Sequence, residues 1–107
     1  MTDQAIELYN QGVVLMEKQQ NQDAQKAFGA AIELEPTFAE AYNARAVVTA
    51  LDGQFTEAIQ DVDEAIRLKP SSGRFYRTRG LIYREMGDEA QATENLAKSD
   101  ELTQKDT

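Results

Sequence analysis

Apolar residues recur along the chain at the three- and four-residue intervals of an α-helix. Over residues 3–18 this spacing places a stripe of apolar side chains on one helical face. The stripe consists of Ile6, Tyr9, Val13 and Met16. A second helix is predicted over residues 22–35, and Pro36 ends it because proline has no amide proton to donate within a helix.

The same periodicity predicts four more helices in the rest of the chain. They cover approximately residues 38–51, 55–68, 74–86 and 89–103. Asp3 and Asp88 are expected to cap the first and last helices, and Thr37 with Glu40 matches a capping box before the third. No segment keeps the two-residue alternation of a strand. The fold class is therefore predicted to be all-α.

The pattern also repeats itself at a fixed interval along the chain. When the sequence is shifted so that Ala24 falls on Ala58, Ala58 falls on Ala92 and Pro36 falls on Pro70. A fixed period of about 34 residues indicates stacked units that bury their apolar faces against each other. We predict one domain over residues 1–107. Its three two-helix units lie at about residues 5–38, 39–72 and 73–106.

The charge of the chain narrows the classes of partner. The 107 residues carry a formal net charge of −8, and such a surface repels phosphate backbones. Nucleic acid is therefore not expected as a partner. No apolar run reaches the ~20 residues that a membrane-spanning helix needs. The first residues lack the basic and apolar pattern of a signal peptide. A cytoplasmic protein with no membrane partner is expected.

Catalytic chemistry has little support in the composition. The chain contains neither histidine nor cysteine, the commonest general base and the thiolate nucleophile. The acidic run Asp61–Glu64 lies in the middle of a predicted helix, without the glycine of a calcium loop. It is interpreted as a solvated face. We expect neither an enzyme nor a bound metal or cofactor.

The order of large and small residues in each unit resembles the tetratricopeptide repeat. The first unit matches at Leu8, Gly12, Leu15, Ala24, Phe28 and Pro36. The second matches at Tyr42, Ala46, Ala58, Val62 and Pro70, and the third at Tyr76, Gly80, Tyr83, Ala92 and Leu96. The resemblance implies three stacked helix-turn-helix units in a short right-handed α-solenoid. It also implies that a peptide or helix of another protein binds in the concave groove, in an adaptor or assembly role.

The same resemblance assigns the groove to the first helix of each unit. The candidate groove residues are Ile6, Tyr9, Val13 and Met16 from the first, Asn43 and Val47 from the second, and Arg74, Arg77, Leu81 and Arg84 from the third. Members of the family that bind chaperone tails use a clamp of charged and amide side chains. The matching positions hold Tyr9, Val13, Ala44, Arg74 and Thr78. Only Arg74 keeps the required charge, so a chaperone-tail co-factor is not expected.

Basic charge is concentrated on the fifth predicted helix. Residues 73–86 carry +3, whereas the other 93 residues carry −11. One interpretation is that Arg74, Arg77 and Arg84 bind carboxylates of an acidic partner, since guanidinium groups pair with them bidentately. The other is that they pair with acidic groups of neighbouring helices. Arg45 and Arg79 precede the small residue of their units, and the resemblance implies a structural role for both.

Self-association is the alternative function. The first helix has no preceding unit to cover it, so some of Ile6, Tyr9, Val13, Val14 and Met16 are expected to stay accessible. An exposed apolar patch often marks an interface. The alternative is thus a structural homo-oligomer that pairs through its uncovered terminal helices.

Overall fold

The computed structural model of this chain describes residues 1–105. Within this range it contains six α-helices and no strand. The helices are α1 (Asp3–Glu17), α2 (Asn21–Leu34), α3 (Ala39–Leu51), α4 (Phe55–Leu68), α5 (Gly73–Glu85) and α6 (Glu89–Lys105). The all-α prediction is confirmed, and no predicted helix end is displaced by more than two residues. The ends of the predicted third unit and domain, Asp106 and Thr107, lie outside the described residues.

Consecutive helices pack as antiparallel pairs, α1 with α2, α3 with α4 and α5 with α6, and the pairs stack in chain order. The contact inside each pair is made at a small residue. Ala24, Ala58 and Ala92 have no exposed surface. An alanine here lets two helix backbones approach more closely than larger side chains would allow. The repeated alanines of the sequence are thus the contacts that hold each pair together.

Large side chains fill the space between the units. Phe28, Phe38 and Phe75 are buried, and Val62 is buried with them in the core. The ring of Tyr9 lies 5.7 Å from that of Phe28 and 5.1 Å from that of Phe38, measured between centroids. The contact with Phe38, the residue before α3, links the first helix pair to the start of the second. Aromatic pairs at such distances attract each other beyond the area that they bury.

The helix caps differ in part from those that the sequence predicts. Asp88 caps α6 as expected, and its Oδ1 accepts a hydrogen bond from the Gln91 amide at 3.1 Å. The cap of α1 is Thr2 rather than Asp3, because the Thr2 hydroxyl accepts from the Ala5 amide at 3.2 Å. The predicted capping box before α3 does not form. Phe38 occupies that position, and no side chain in the described part of the chain caps the amides there.

The turns within the three units use the same backbone shape with different residues. Gly53 and Gly87 have φ angles of 80° and 86°, in the left-handed region that glycine adopts without a steric penalty. Gln19 occupies the equivalent position of the first unit and has a φ of 62°. A side chain in this conformation brings its Cβ too close to the following carbonyl oxygen, which costs roughly 1–2 kcal/mol. The first turn is therefore strained where the other two are not.

We expect Gln19→Gly to stabilise the protein by about 1 kcal/mol, because it removes this strain at the cost of some unfolded-state entropy. The midpoint of thermal unfolding should rise by about 4–8 °C for a domain of this size, measured by circular dichroism.

The matched control is Gln22→Gly, another exposed glutamine close by in the chain but within α2. Glycine in a helix costs up to about 1 kcal/mol relative to a good helix former, so this variant should unfold at a lower temperature. Equal shifts of both variants would contradict the idea of local strain at Gln19.

Candidate functional site

The first helices of the three units, α1, α3 and α5, together line one groove. Its lining residues are Tyr9, Val13 and Met16 from α1, Asn43, Ala44 and Val47 from α3, and Arg74, Arg77, Thr78 and Leu81 from α5. Within each helix these positions follow the spacing that keeps side chains on one helical face. Eight of the ten residues predicted from the sequence meet here. All five positions that correspond to the chaperone-tail clamp also lie in this lining.

Ile6 and Arg84 do not line the groove. Ile6 lies with Val14 in a shallow depression on the outer side of α1, because the groove takes only the side of this helix that faces α3. Arg84 is exposed in the last turn of α5, beyond the lining residues. The predicted stripe on α1 therefore divides into a groove face and an outer face.

Arg74 and Arg77 are exposed on the groove, and neither has a carboxylate partner in the described part of the chain. Among residues 1–105, no Asp or Glu oxygen lies within 4.0 Å of either guanidinium. Arg84 is likewise without an ion pair in this range. Within this part of the chain, the arginines therefore do not form the pairs with acidic groups of neighbouring helices that the second interpretation expects. Two positive charges instead remain available at one end of the groove.

The two arginines that precede the small residue of their units are already hydrogen-bonded to other side chains. Arg45 donates from Nε and Nη2 to the two carboxylate oxygens of Asp61, each at 2.9 Å. Arg79 donates to Asp63 at 2.9 Å and to the Asn95 side-chain oxygen at 2.8 Å. Both pairs link α4 to a first helix. The structural role that the resemblance implies for Arg45 and Arg79 matches these contacts.

These pairs also correct the interpretation of the acidic run in α4. Asp61 and Asp63 are not simply a solvated face, because each holds an arginine of a neighbouring helix. The hydrogen bond from Arg45 to Asp61 raises the pKa of the guanidinium above its ordinary value. Arg45 therefore stays charged at any pH at which the protein is folded. The acidic run serves to fix the positions of α3 and α5.

Asn43 is the buried polar side chain of the groove lining. Only 5% of the residue is exposed, and the side-chain oxygen Oδ1 accepts no hydrogen bond from any described residue. Leaving a buried acceptor unpaired costs about 1–3 kcal/mol. The sequence places Asn43 on the groove but gives no sign that its oxygen is unpaired, because that depends on which donors the other helices bring near.

An apolar pocket continues the groove toward the C-terminal ends of α3 and α5. It has a volume of about 390 Å³ and shares Val47, Thr78 and Leu81 with the groove. Its further lining residues include Leu51, Phe55 and Ile82. Leu51 is 64% exposed and Leu81 is 40% exposed, which is high for leucine side chains. The groove is therefore basic at one end and apolar at the other.

The sequence contained a signal for this pocket that the helical pattern alone did not use. The positions equivalent to Leu51 in the first and third units are Glu17 and Glu85. One unit thus carries a leucine at a place where its two neighbours carry a charge. A comparison of equivalent positions in the three units, rather than of apolar spacing within one helix, singles out Leu51.

The described residues hold no cluster of three or more side chains suited to a metal ion. None of the described helices combines the length and the apolar composition that a membrane span requires. The arrangement consists of stacked helical hairpins with one groove across their first helices, which defines a helical-repeat protein. The profile of the tetratricopeptide repeat family matches residues 9–73, and a second profile of the same family matches residues 74–106. The chain belongs to the tetratricopeptide repeat family.

Among curated proteins, the chain is similar to tetratricopeptide repeat protein 36 of Homo sapiens. The two are 35% identical over 102 residues, which cover 92% of this chain and 53% of that protein. The chain thus spans about half the length of this relative. The similarity covers all three units.

Two solved structures share the fold. The Sgt2 domain from Aspergillus fumigatus has a TM-score of 0.91 and 22% identity, and covers 95% of this chain and 68% of that chain. The first such domain of Spaghetti (RPAP3), bound to the HSP90 peptide SRMEEVD, has a TM-score of 0.89 and 19% identity. This match covers 95% of this chain and 81% of that chain. At these identities the likeness concerns the fold alone.

The contacts of the α5 arginines predict that neighbouring residues differ sharply in their effect on stability. We expect Arg79→Ala to destabilise the protein by about 1–2 kcal/mol, because it removes two charge-assisted hydrogen bonds and leaves the buried Asn95 oxygen without this donor. Arg77→Ala is the matched control and should change the free energy of unfolding by less than about 0.5 kcal/mol. Urea unfolding measures both, and equal losses would contradict the distinction.

Proposed function

We propose that this protein binds a segment of another protein in the groove formed by α1, α3 and α5, and acts as an adaptor. The observation that carries the proposal is that some arginines have a carboxylate partner and others, which face the groove, have none within the described range. Arg45 and Arg79 are tied to α4, whereas Arg74 and Arg77 face the groove without a carboxylate partner among the described residues. Charged groups left unpaired beside apolar side chains are suited to recognition, since a ligand can pair with the first and cover the second.

The groove lining is suited to covering a ligand. Val13, Met16, Val47 and Leu81 give it an apolar floor, and Tyr9 is held at its edge by Phe28 and Phe38. A preformed surface of this kind loses little side-chain freedom when a ligand covers it. Because the three helices lie side by side, an extended segment or a helix can contact all three at once.

The RPAP3 domain, which is bound to a peptide, supports peptide binding as the function of the groove. The side chains that line the groove argue for a different ligand in this protein. The five clamp positions of the chaperone-tail binders line this groove as Tyr9, Val13, Ala44, Arg74 and Thr78. Four of them carry neither a charge nor an amide. A ligand held chiefly by its terminal carboxylates would find one matching group, so we propose a partner other than a chaperone tail.

Selection from a random-sequence peptide library displayed on phage tests this function directly. The informative pair of variants is Val13→Arg, which introduces a large charged group into the groove, and Val14→Arg, which places the same group on the outer face of α1. We expect peptides selected on the wild type to bind Val13→Arg at least about tenfold more weakly, a loss of about 1.4 kcal/mol. They should bind Val14→Arg as they bind the wild type.

Both variants must first give the circular dichroism spectrum of the wild type, so that a binding loss is not a folding loss. A selection that yields no peptide sensitive to Val13→Arg would refute the proposed function. Peptides that respond to Val14→Arg alone would move the binding surface to the outer face.

A second candidate function is self-association through this outer face, and it is favoured by exposed apolar side chains there. Ile6 is 41% exposed and Val14 is 49% exposed, on the side of α1 that no other described helix covers. Burial of such groups is driven by the hydrophobic effect, which salt does not screen. In this alternative, α1 of one copy pairs with a terminal helix of another.

Sedimentation equilibrium over a wide range of protein concentrations tests self-association. If the outer face pairs, the wild type and Val13→Arg should form the same oligomer, in low and in high salt alike, and Val14→Arg should be monomeric. A monomer at every concentration for the wild type would remove this candidate.

A further inference from the structure

The groove has two chemically different ends, and its residues come in matched levels across α3 and α5. Asn43 and Arg77 occupy equivalent positions of the second and third units, as do Val47 and Leu81, so each pair lies at the same level of two neighbouring first helices. Arg74 lies one turn before Arg77. Asn43, Arg74 and Arg77 form what we term the polar end, and Val47, Leu51, Phe55, Leu81 and Ile82 form the apolar end.

The polar end suits a ligand with few carboxylates rather than many. The guanidinium groups of Arg74 and Arg77 attract negative charge, but residues outside 73–86 carry a net charge of −11. A long acidic tract would therefore be attracted at one point and repelled over the rest of the surface. One or two carboxylates at the level of Arg74 and Arg77 gain the attraction without most of the repulsion.

Asn43 adds a requirement for a neutral hydrogen-bond donor. Its Oδ1 is buried and accepts no hydrogen bond from the described residues, and the residue lines the same groove as the two arginines, so a rotation of the Asn43 side chain would present Oδ1 to a ligand. A cationic donor would be repelled by Arg74 and Arg77. Among the neutral donors that remain, the backbone amide is the one that every extended segment presents along its length. Pairing it would remove the cost of the unsatisfied acceptor.

The apolar end has room for a large side chain and disfavours a carboxylate. Leu51 and Leu81 are exposed around a pocket of about 390 Å³ whose floor includes Phe55 and Ile82. Glu85 also lines this pocket and would repel a carboxylate placed there. The polar end therefore favours an acidic residue of the ligand, and the apolar end favours an apolar one.

The spacing of the two ends follows from helix geometry. The pocket is centred about six residues along α5 from the midpoint of Arg74 and Arg77, or about 9 Å at 1.5 Å per residue. An extended chain advances about 3.3 Å per residue. About two to four residues of an extended segment would thus separate the carboxylate from the apolar side chain.

We propose that the groove selects an extended segment from within a protein chain, not a chain terminus, that carries one or two acidic side chains and a large apolar residue two to four positions away. The carboxylates pair with Arg74 and Arg77, a backbone amide donates to Asn43 Oδ1, and the apolar side chain enters the pocket at Leu51 and Leu81. This inference rests on the proposed function, because it specifies the ligand of the same groove.

The peptides selected from the random-sequence library test the pattern. We expect enrichment of Asp or Glu two to four positions from Leu, Ile, Met or Phe, and loss of that enrichment when the selection is repeated on an Arg74→Gln/Arg77→Gln variant. Peptides that depend on Val13 but lack this pattern would overturn the inference and leave the proposed function standing. A selection without any Val13-dependent peptide removes both.

A synthetic form of the most enriched peptide, labelled with fluorescein, then assigns each contact by fluorescence anisotropy. Replacing its acidic residues with the matching amides should weaken binding to the wild type at least about tenfold, and should have little effect on binding to Arg74→Gln/Arg77→Gln. Replacing its apolar residue with serine should weaken binding to that variant as much as to the wild type. Leu51→Glu gives this position the glutamate of the neighbouring units. On this variant, replacing the acidic residues of the peptide should weaken binding as much as on the wild type, and replacing the apolar residue should have little effect. Additive losses for the peptide and its matching protein variant would overturn the assignment.

Methylating single backbone nitrogens of the peptide tests Asn43. One N-methyl position should weaken binding to the wild type by about tenfold and leave binding to Asn43→Ala unchanged. If every N-methyl peptide loses equally on both proteins, Asn43 does not accept from the ligand. Circular dichroism melting checks that each variant is folded at the temperature of the binding assay.

Discussion

The close approach of paired helices at small residues is the constraint on which this structure depends. Ala24, Ala58 and Ala92 are fully buried where the two helices of each unit meet. Gly12 lies beneath the ring of Phe28, so near that a Cβ there would fall 2.5 Å from a ring carbon. Because each hairpin is this thin, three of them stack with their first helices side by side. The groove is a consequence of that stacking, since one face of these helices is left uncovered.

Charge placement then separates the arginines that build the fold from those that face the groove. Arg45 and Arg79 point to α4, where they are held by Asp61 and Asp63. Their guanidinium carbons also lie 5.9 Å and 5.1 Å from the ring centroids of Tyr42 and Tyr76. Helix periodicity places Arg79 and Arg77 on opposite sides of α5, because a shift of two positions turns a side chain by about 200°.

Membership of the tetratricopeptide repeat family accounts for the groove and leaves its chemistry to this chain. The family pattern dictates which positions are small and which are large, and its small residues, such as Ala24 and Ala58, are buried in the core. The groove positions pack less uniformly, since Asn43 is buried and Arg74 and Arg77 are exposed. They carry tyrosine, valine and alanine where chaperone-tail binders carry charged and amide groups, and arginine appears at only one end of the described lining. The fold is shared with the family, whereas the side chains that line the groove are particular to this chain.

The sequence by itself determined the six helices and the three units, because these follow from local periodicity and from the repeat of the whole pattern. The face expected to line a groove followed from the resemblance to the tetratricopeptide repeat. Only the tertiary structure decided which charges are free. An ion pair between Arg79 and Asp63 joins residues on different helices, and the lack of a described donor at Asn43 Oδ1 likewise depends on what other helices bring near. Such contacts depend on distances between helices, which no pattern along one helix encodes. For the same reason Ile6, which the sequence assigned to the groove, lies instead on the outer face of α1.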